Sequence, residues 1–191
     1  MLIWLLFSNL LFSTVHAANF NAHGFEVSIE PVLAYEYFQR DTPTRHRAGM
    51  LLYGGRFTAG KPHFSFEGEF TTGNETAIYT SPSVQTVTTK KENARIGARA
   101  TASLSSILAA YLRLGGQASR VTTTVTDSTP TTTTNERDWQ YKPYLGTGVQ
   151  VALAGVLSAG LDLNYVFYSL NDFTQNSVQI STSLQIHFNS K

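Results

Sequence analysis

Eight charged residues on the polar faces of alternating segments could form a network of ion pairs. They are the acidic residues Glu30, Glu67, Glu69 and Asp162 and the basic residues Arg56, Arg95, Arg99 and Arg113. Carboxylate and guanidinium groups bind each other through charge-assisted hydrogen bonds. Because an unpaired buried charge is costly, a fold that encloses these side chains must pair them. The sequence therefore predicts a network that fills and seals an interior, with a gated narrow polar pore as the alternative.

Histidine and serine offer little further chemistry. His63 and Ser65 have the His-x-Ser spacing found in outer-membrane lipid A deacylases, but no acidic partner is placed near them. His187 lies on a polar segment face and is interpreted as a hydrogen-bonded filler rather than a base. His23 and His46 lack metal-ligand spacing, and no glycine-rich phosphate loop is present. We predict no catalytic site, no metal site and no cofactor, and a lipid-modifying enzyme stays as a lesser alternative.

The composition excludes several classes of protein. The formal net charge is +1, which gives little support to nucleic-acid binding through phosphate neutralisation. The chain has no cysteine, so disulfide and thiol chemistry are excluded. Beyond the N-terminal stretch, no apolar run reaches the length of about 18 residues that a transmembrane helix needs. A helical membrane protein is therefore excluded, and 191 residues fit one domain.

The N-terminus has the pattern of an export signal. Met1 to Val15 form an apolar block without a charged side chain, and Val15 and Ala17 are the small residues expected before a cleavage site. No Lys or Arg stands near Met1, which is unusual for such a signal. We predict a cleaved signal peptide over residues 1–17 and a barrel domain over residues 18–191, with a buried N-terminal helix as the alternative.

The rest of the chain contains eight segments in which apolar and polar residues alternate. Strict alternation predicts strands with one apolar face. A length of about 9 to 14 residues suits tilted strands that cross a membrane. Short links alternate with long polar ones, including the Thr-rich tract Val121 to Asn135, which we interpret as a solvated flexible loop. The segments are Phe25–Phe38, Ala48–Thr58, Phe64–Thr72, Ala94–Leu104, Leu108–Ser119, Tyr141–Leu153, Leu157–Tyr168 and Ser177–Phe188.

The distribution of residue types predicts which face points inward. The polar faces combine charged residues with glycines, as in a crowded interior where long side chains need room. Aromatic residues such as Tyr35 and Tyr165 lie beside long links, and others such as Phe57 and Phe64 lie beside short ones. Two such bands are typical of the aromatic girdles of a membrane barrel. A soluble lipocalin-like carrier, with the apolar face inside, is the alternative.

From Phe25 to Phe188 the chain resembles the OmpA-type transmembrane domain and the small OmpX/Ail-like proteins. The resemblance rests on the eight segments, the alternating link lengths and the last segment, VQISTSLQIHF. It implies an all-β fold, an eight-stranded antiparallel up-and-down transmembrane β-barrel in the bacterial outer membrane. It also implies outer-membrane lipids, lipopolysaccharide and the barrel-assembly machinery as partners. Phe188 would present the assembly signal, although Asn189-Ser190-Lys191 follow it.

These observations leave the role of the barrel open between two main hypotheses. In the first, the barrel is not an enzyme but a structural or surface-interaction protein that binds a ligand through its long loops. Those loops are expected at Asp41–Arg47, Gly73–Asn93 and Arg120–Gln140, because binding residues often lie on loops that a rigid scaffold presents. In the second, the barrel is a narrow channel for ions or small polar solutes.

Overall fold

The chain forms a barrel of antiparallel strands. The computed structural model describes residues 24–40, 46–80, 85–127, 132–136, 138–168 and 176–189. Among these residues, no helix is long and apolar enough to cross a membrane. The strands are β1 (Glu26–Arg40), β2 (His46–Lys61), β3 (Phe64–Tyr79), β4 (Gln85–Ser103), β5 (Leu108–Asp127), β6 (Thr132–Glu136), β7 (Gln140–Ala154), β8 (Leu157–Val166) and β9 (Ser177–Asn189).

The barrel closes between its first and last strands. Each strand pairs with its neighbours in antiparallel fashion, and β1 pairs with β9. β6 and β7 both pair with β5, one above the other, so eight strand positions surround the interior. A row of paired residues that leaves β1 at Glu26 returns to β1 at Glu36, a stagger of 10 residues. Such a stagger tilts the strands against the barrel axis.

The apolar face of the barrel points outward, as predicted. Ile96 and Phe66 are 75% and 65% exposed, whereas Arg56 and Asp162 are each 1% exposed. A soluble barrel hides its apolar residues, because exposure of a large apolar surface to water is costly. The lipocalin-like alternative is therefore wrong. The fold is the predicted one, an all-β up-and-down barrel with polar side chains inside.

The predicted loops Gly73–Asn93 and Arg120–Gln140 are largely strands, so this prediction was wrong. β3 continues to Tyr79, β4 begins at Gln85, and β5 continues to Asp127. Together with β6 they form a four-stranded sheet, which we call the ribbon (residues 72–79, 85–92, 120–127 and 132–136). The Thr-rich tract enters it because threonine and valine are β-branched and favour extended backbone.

The strands are joined by short turns at one end of the barrel. Residues 62–63, 104–107 and 155–156 make these turns, in agreement with the predicted alternation of link lengths. Gly155 takes a φ of 49°, a left-handed conformation that favours glycine. The ribbon rises at the opposite end, and only on the side of β3 to β6. The two ends therefore differ in length, and the long end is itself asymmetric.

The predicted signal peptide lies outside the described residues, as do residues 41–45 of the first predicted loop.

Candidate functional site

Eight charged side chains meet inside the barrel and form what we call the ion-pair belt. Six strands, β1 to β5 and β8, contribute these side chains. Each side chain points inward because neighbouring residues on a strand point to opposite sides. All are buried, with residue exposures of at most 5%. The members are the eight residues that the sequence predicts: Glu30, Arg56, Glu67, Glu69, Arg95, Arg99, Arg113 and Asp162.

Arg56 lies at the centre of the belt and binds three carboxylates. Its Nη1 donates to Glu30 Oε2 at 2.8 Å, and its Nε donates to Glu69 Oε2 at 2.8 Å. Its Nη2 donates to Asp162 Oδ2 at 3.0 Å, across the barrel. One guanidinium group thereby ties β1, β2, β3 and β8 together.

Glu69 is the corresponding centre among the acids. Besides Arg56, it accepts hydrogen bonds from Arg95 Nη1 at 2.8 Å and from Arg113 Nη2 at 3.0 Å. Arg113 also donates from Nε to Glu67 Oε1 at 2.7 Å. Because the belt contains four acids and four arginines, its formal charge is zero. Charges that cancel over such short distances offset much of the cost of removing them from water.

Two tyrosines complete the belt. Tyr111 donates a hydrogen bond to Asp162, and the Arg99 guanidinium carbon lies 3.6 Å from the centroid of the Tyr111 ring. Tyr144 donates to Glu67 Oε1 at 2.6 Å. The rings need room at the facing wall: a Cβ at Gly97 would lie 2.4 Å from the Tyr144 hydroxyl. These contacts were not predicted from the sequence; the available signal is a large side chain that faces a glycine.

Amide side chains accept hydrogen bonds from three further arginine donors of the belt. Gln150 accepts from Arg99 Nη2 at 2.9 Å, and Asn164 accepts from Arg113 Nη1 at 3.0 Å. Gln117 accepts from Arg95 Nε at 2.5 Å. These neutral groups satisfy donors without adding charge, so the balance of the belt is kept.

A second, smaller ion pair lies above the belt, toward the ribbon. Lys91 Nζ donates to Glu36 Oε1 at 2.8 Å, and Asn93 Nδ2 donates to Glu36 Oε2 at 3.1 Å. The Lys91 ammonium also lies 4.4 Å from the centroid of the Phe38 ring. This pair was not predicted from the sequence, because Lys91 falls within the predicted loop Gly73–Asn93 and not within a predicted strand.

At the short-turn end, a small vestibule opens below the belt and reaches Arg99 and His187. His187 Nδ1 contacts Glu26, and its Nε2 lies 2.5 Å from Ser158 Oγ. This order of groups is that of a Ser–His–acid triad. However, Ser158 is fully buried and its hydroxyl also accepts a hydrogen bond from Gln150 at 2.6 Å. The hydroxyl therefore presents no surface to a substrate, and His187 acts here as a hydrogen-bonded filler.

The His-x-Ser pair that the sequence offered as a candidate for catalysis lies outside the belt. His63 is exposed, with Nδ1 3.4 Å from the Thr101 carbonyl oxygen, and Ser65 lines the vestibule. Within the described ranges, no group of three or more His, Cys, Asp or Glu residues could hold a metal ion. The interior thus supports ion pairing and space filling as its chemistry.

No family model and no curated protein matches the chain. Solved structures of small outer-membrane barrels match its fold. Ail of Yersinia pestis, in complex with the heparin analogue sucrose octasulfate, matches with a TM-score of 0.59 and 9% identity over 87% of this chain and 100% of Ail. OprG of Pseudomonas aeruginosa gives 0.57 and 8% over 88% and 97%, and Neisserial surface protein A gives 0.54 and 14% over 86% and 97%. The chain therefore has the fold of these outer-membrane β-barrels.

Proposed function

We propose that this protein is an outer-membrane barrel with a sealed interior, and that it acts through the surface it presents outside the cell. The main support for this proposal is the ion-pair belt, which spans the interior and has no net charge. An eight-stranded barrel is only wide enough for side chains to fill it. Because the belt occupies that space with mutually bonded groups, the barrel serves as a rigid scaffold.

The orientation follows from the unequal ends. In outer-membrane barrels the short turns face the periplasm and the longer connections face outward. The ribbon then stands outside the cell, and the vestibule at His187 faces the periplasm. Phe188, exposed on the outside of β9, suits recognition of the last strand by the barrel-assembly machinery.

The ribbon is the surface best placed for a ligand. It extends beyond the other described strands at this end of the barrel. The structure of Ail, which shares the fold, was solved with a sulfated sugar, and this suggests heparin as a first probe for the present protein. The experiment shortens both ribbon hairpins and compares the binding of expressing cells to immobilised heparin. Unchanged binding and an intact envelope in the shortened variant would argue against a role for the ribbon.

A narrow channel is the second candidate, favoured by the vestibule that reaches Arg99 from the short-turn end. Conductance measured in a planar bilayer distinguishes a sealed barrel from a narrow channel. The sealed barrel predicts no steady unitary currents from the wild-type protein. Steady currents that Arg99→Ala alters or abolishes would establish the channel instead.

A further inference from the structure

The outer surface of the barrel continues without interruption from the lipid-facing strands onto the ribbon. Residues two apart on a strand point to the same side. Outward positions on β3, β4, β5 and β7 can therefore be followed upward as paired rows. The highest apolar row consists of Phe70, Ala94, Ala118 and Tyr141.

Charged residues take over immediately above this apolar row. Glu92 pairs in register with Arg120, whose Nη2 donates to Glu92 Oε2 at 2.6 Å. The Arg120 guanidinium also lies 5.2 Å from the centroid of the Trp139 ring. One row higher, Lys90 is 54% exposed in its side chain and Glu136 is 57% exposed. Tryptophan and long charged side chains are typical of the boundary between hydrocarbon and head groups.

Threonine fills every position of the next row. Thr76, Thr88, Thr124 and Thr134 lie side by side across the four strands of the ribbon. Their hydroxyls contact one another in pairs, at 3.1 Å on β3 and β4 and at 3.5 Å on β5 and β6. The row beyond holds Ile78, Thr86, Thr126 and Thr132.

The spacing places this row well above the hydrocarbon. Phe70 and Thr76 are six residues apart on β3, which corresponds to about 20 Å along the strand and, at a strand tilt of about 35–45°, to about 14–16 Å in height. The threonine face also points sideways, as the lipid-facing side chains do, and not toward the barrel axis. In the outer leaflet, the layer beside the barrel at this height is made of the sugars of the surrounding lipids.

We propose that this face of the ribbon binds the oligosaccharide of a neighbouring lipopolysaccharide molecule. Its acyl chains would lie on the apolar row and its sugars on the threonine rows. The proposal rests on the proposed outer-membrane placement and names a partner for the ribbon there. It assigns the outward face of the ribbon to membrane lipid, so that a ligand from outside the cell would have to bind elsewhere on the protein.

The chemistry of the threonine rows suits a sugar. Each hydroxyl can donate one hydrogen bond and accept others, as sugar hydroxyls do. Neighbouring strands lie about 4.8 Å apart, so the row offers closely and regularly spaced hydroxyls without a pocket. The four charged residues below the row cancel in sign, which leaves little net attraction for a free anion. Continuity with the lipid-facing surface therefore favours a glycolipid over a soluble ligand.

The test compares lipopolysaccharide that carries its core sugars with lipid A that lacks them. Each is titrated into the purified protein in phospholipid nanodiscs, with threonine methyl signals followed by NMR. We expect core-bearing lipopolysaccharide to shift the methyl signals of Thr88 and Thr124 and to bind about tenfold more tightly than lipid A, as a few added hydrogen bonds allow. Equal affinities, or no shift at the threonine rows, would overturn the proposal.

A matched pair of double variants locates the binding. Thr88→Val with Thr124→Val removes two hydroxyls from the outward face and keeps β-branched side chains. Thr89→Val with Thr123→Val makes the same change on the opposite face of the same strands. Only the outward pair is expected to reduce the affinity for core-bearing lipopolysaccharide to that for lipid A. Equal losses in both pairs would contradict the proposal.

The controls also separate this proposal from the wider one. Heat-modifiable migration on a gel, measured in phospholipid alone, reports whether each variant is a folded barrel. A folded wild-type barrel that does not distinguish lipopolysaccharide from lipid A overturns only the sugar-binding face. A protein that does not insert into phospholipid at all overturns the outer-membrane placement.

Discussion

The belt inside the barrel and the charged group outside it are made of the same ion pairs in different surroundings. Arg56 Nη1 lies 2.8 Å from Glu30, and Arg120 Nη1 lies 2.9 Å from Glu136. The side chain of Arg56 is 0% exposed, whereas that of Arg120 is 34% exposed. Distances alone would rank the two pairs as equals. Because the Arg56 pair is buried and the Arg120 pair is accessible to water, we expect the Arg56 pair to contribute far more to the stability of the fold.

The physical reason is the cost of leaving a charge behind. Removal of one partner from a buried pair strands the other charge in a medium that solvates it poorly, at a cost of about 3–5 kcal/mol. In an exposed pair, water solvates the charge that remains, and such pairs contribute only about 0–1 kcal/mol to stability. The predictions below test whether this difference holds, from the largest effect to the smallest.

Arg56→Ala should have the largest effect. It leaves Glu30, Glu69 and Asp162 without their shared cation, so we expect the free energy of unfolding to fall by about 3–5 kcal/mol. Urea unfolding in lipid vesicles measures the loss, and heat-modifiable migration shows whether the barrel still forms. A stability within about 1 kcal/mol of wild type, which is the contribution of an exposed pair, would show that the belt does not hold the barrel together.

A pair of glycine variants extends the comparison from charge to packing. A Cβ at Gly97 would lie 2.5 Å from the Leu114 carbonyl oxygen, whereas a Cβ at the outward Gly116 meets nothing within 4 Å. Gly97→Ala should therefore destabilise the barrel by about 1–3 kcal/mol through overpacking. Gly116→Ala should be neutral or stabilising by about 0.4–1 kcal/mol. The same urea unfolding measures both, and equal effects would mean that the interior is loosely packed.

Arg120→Ala is the exposed counterpart of Arg56→Ala. It removes contacts to Glu92, Glu136 and the Trp139 ring, yet its partners remain accessible to water. We expect a loss of no more than about 1 kcal/mol in the free energy of unfolding. High salt should reduce even this difference, because it screens exposed charges. A loss as large as that of Arg56→Ala would remove the distinction between the two regions.

Acid should produce the smallest effect, and it should be confined to the ribbon. Hydrogen bonds from Lys90 and then Arg120 lower the pKa of Glu92 below its usual value of 4.5. A carboxylate with a lowered pKa stabilises the fold above its unfolded pKa, and this contribution is lost as the pH falls through the folded pKa. The protection of ribbon amides from exchange, taken relative to the intrinsic exchange rate at each pH, should therefore decrease below about pH 4.5. Glu92→Gln should remove this dependence, and an unchanged acid response in that variant would assign it to other groups.

The belt could be predicted from the sequence because its signals are local. Alternation places a side chain inside, and the number of residues from a short turn sets its height, so Arg56 and Asp162 could be expected at one level. Partner identities could not be read in this way. Tyr111 and Tyr144 are held by the fit of a ring against a facing glycine, which depends on the register between strands distant in sequence.

The ribbon was missed for a different reason. Period-two alternation is visible only when one face is apolar, and in the ribbon both faces carry polar residues such as Thr88 and Thr89. A strand whose two faces are both polar has the composition of a loop. For the same reason, the inward position of Lys91 and its buried pair with Glu36 were not predicted.

The closure of the barrel between β1 and β9 sets the order in which the molecule can be built. Arg56 and Asp162 are 106 residues apart in the chain, and β1 finds its second neighbour only when the last strand arrives. Contacts of such long range make folding slow, because the chain must be ordered over its whole length before they form. Until β1 pairs with β9 the barrel is open, and we expect water to hydrate the charges of the belt. We therefore expect strand closure, loss of internal water and charge pairing to occur together during folding.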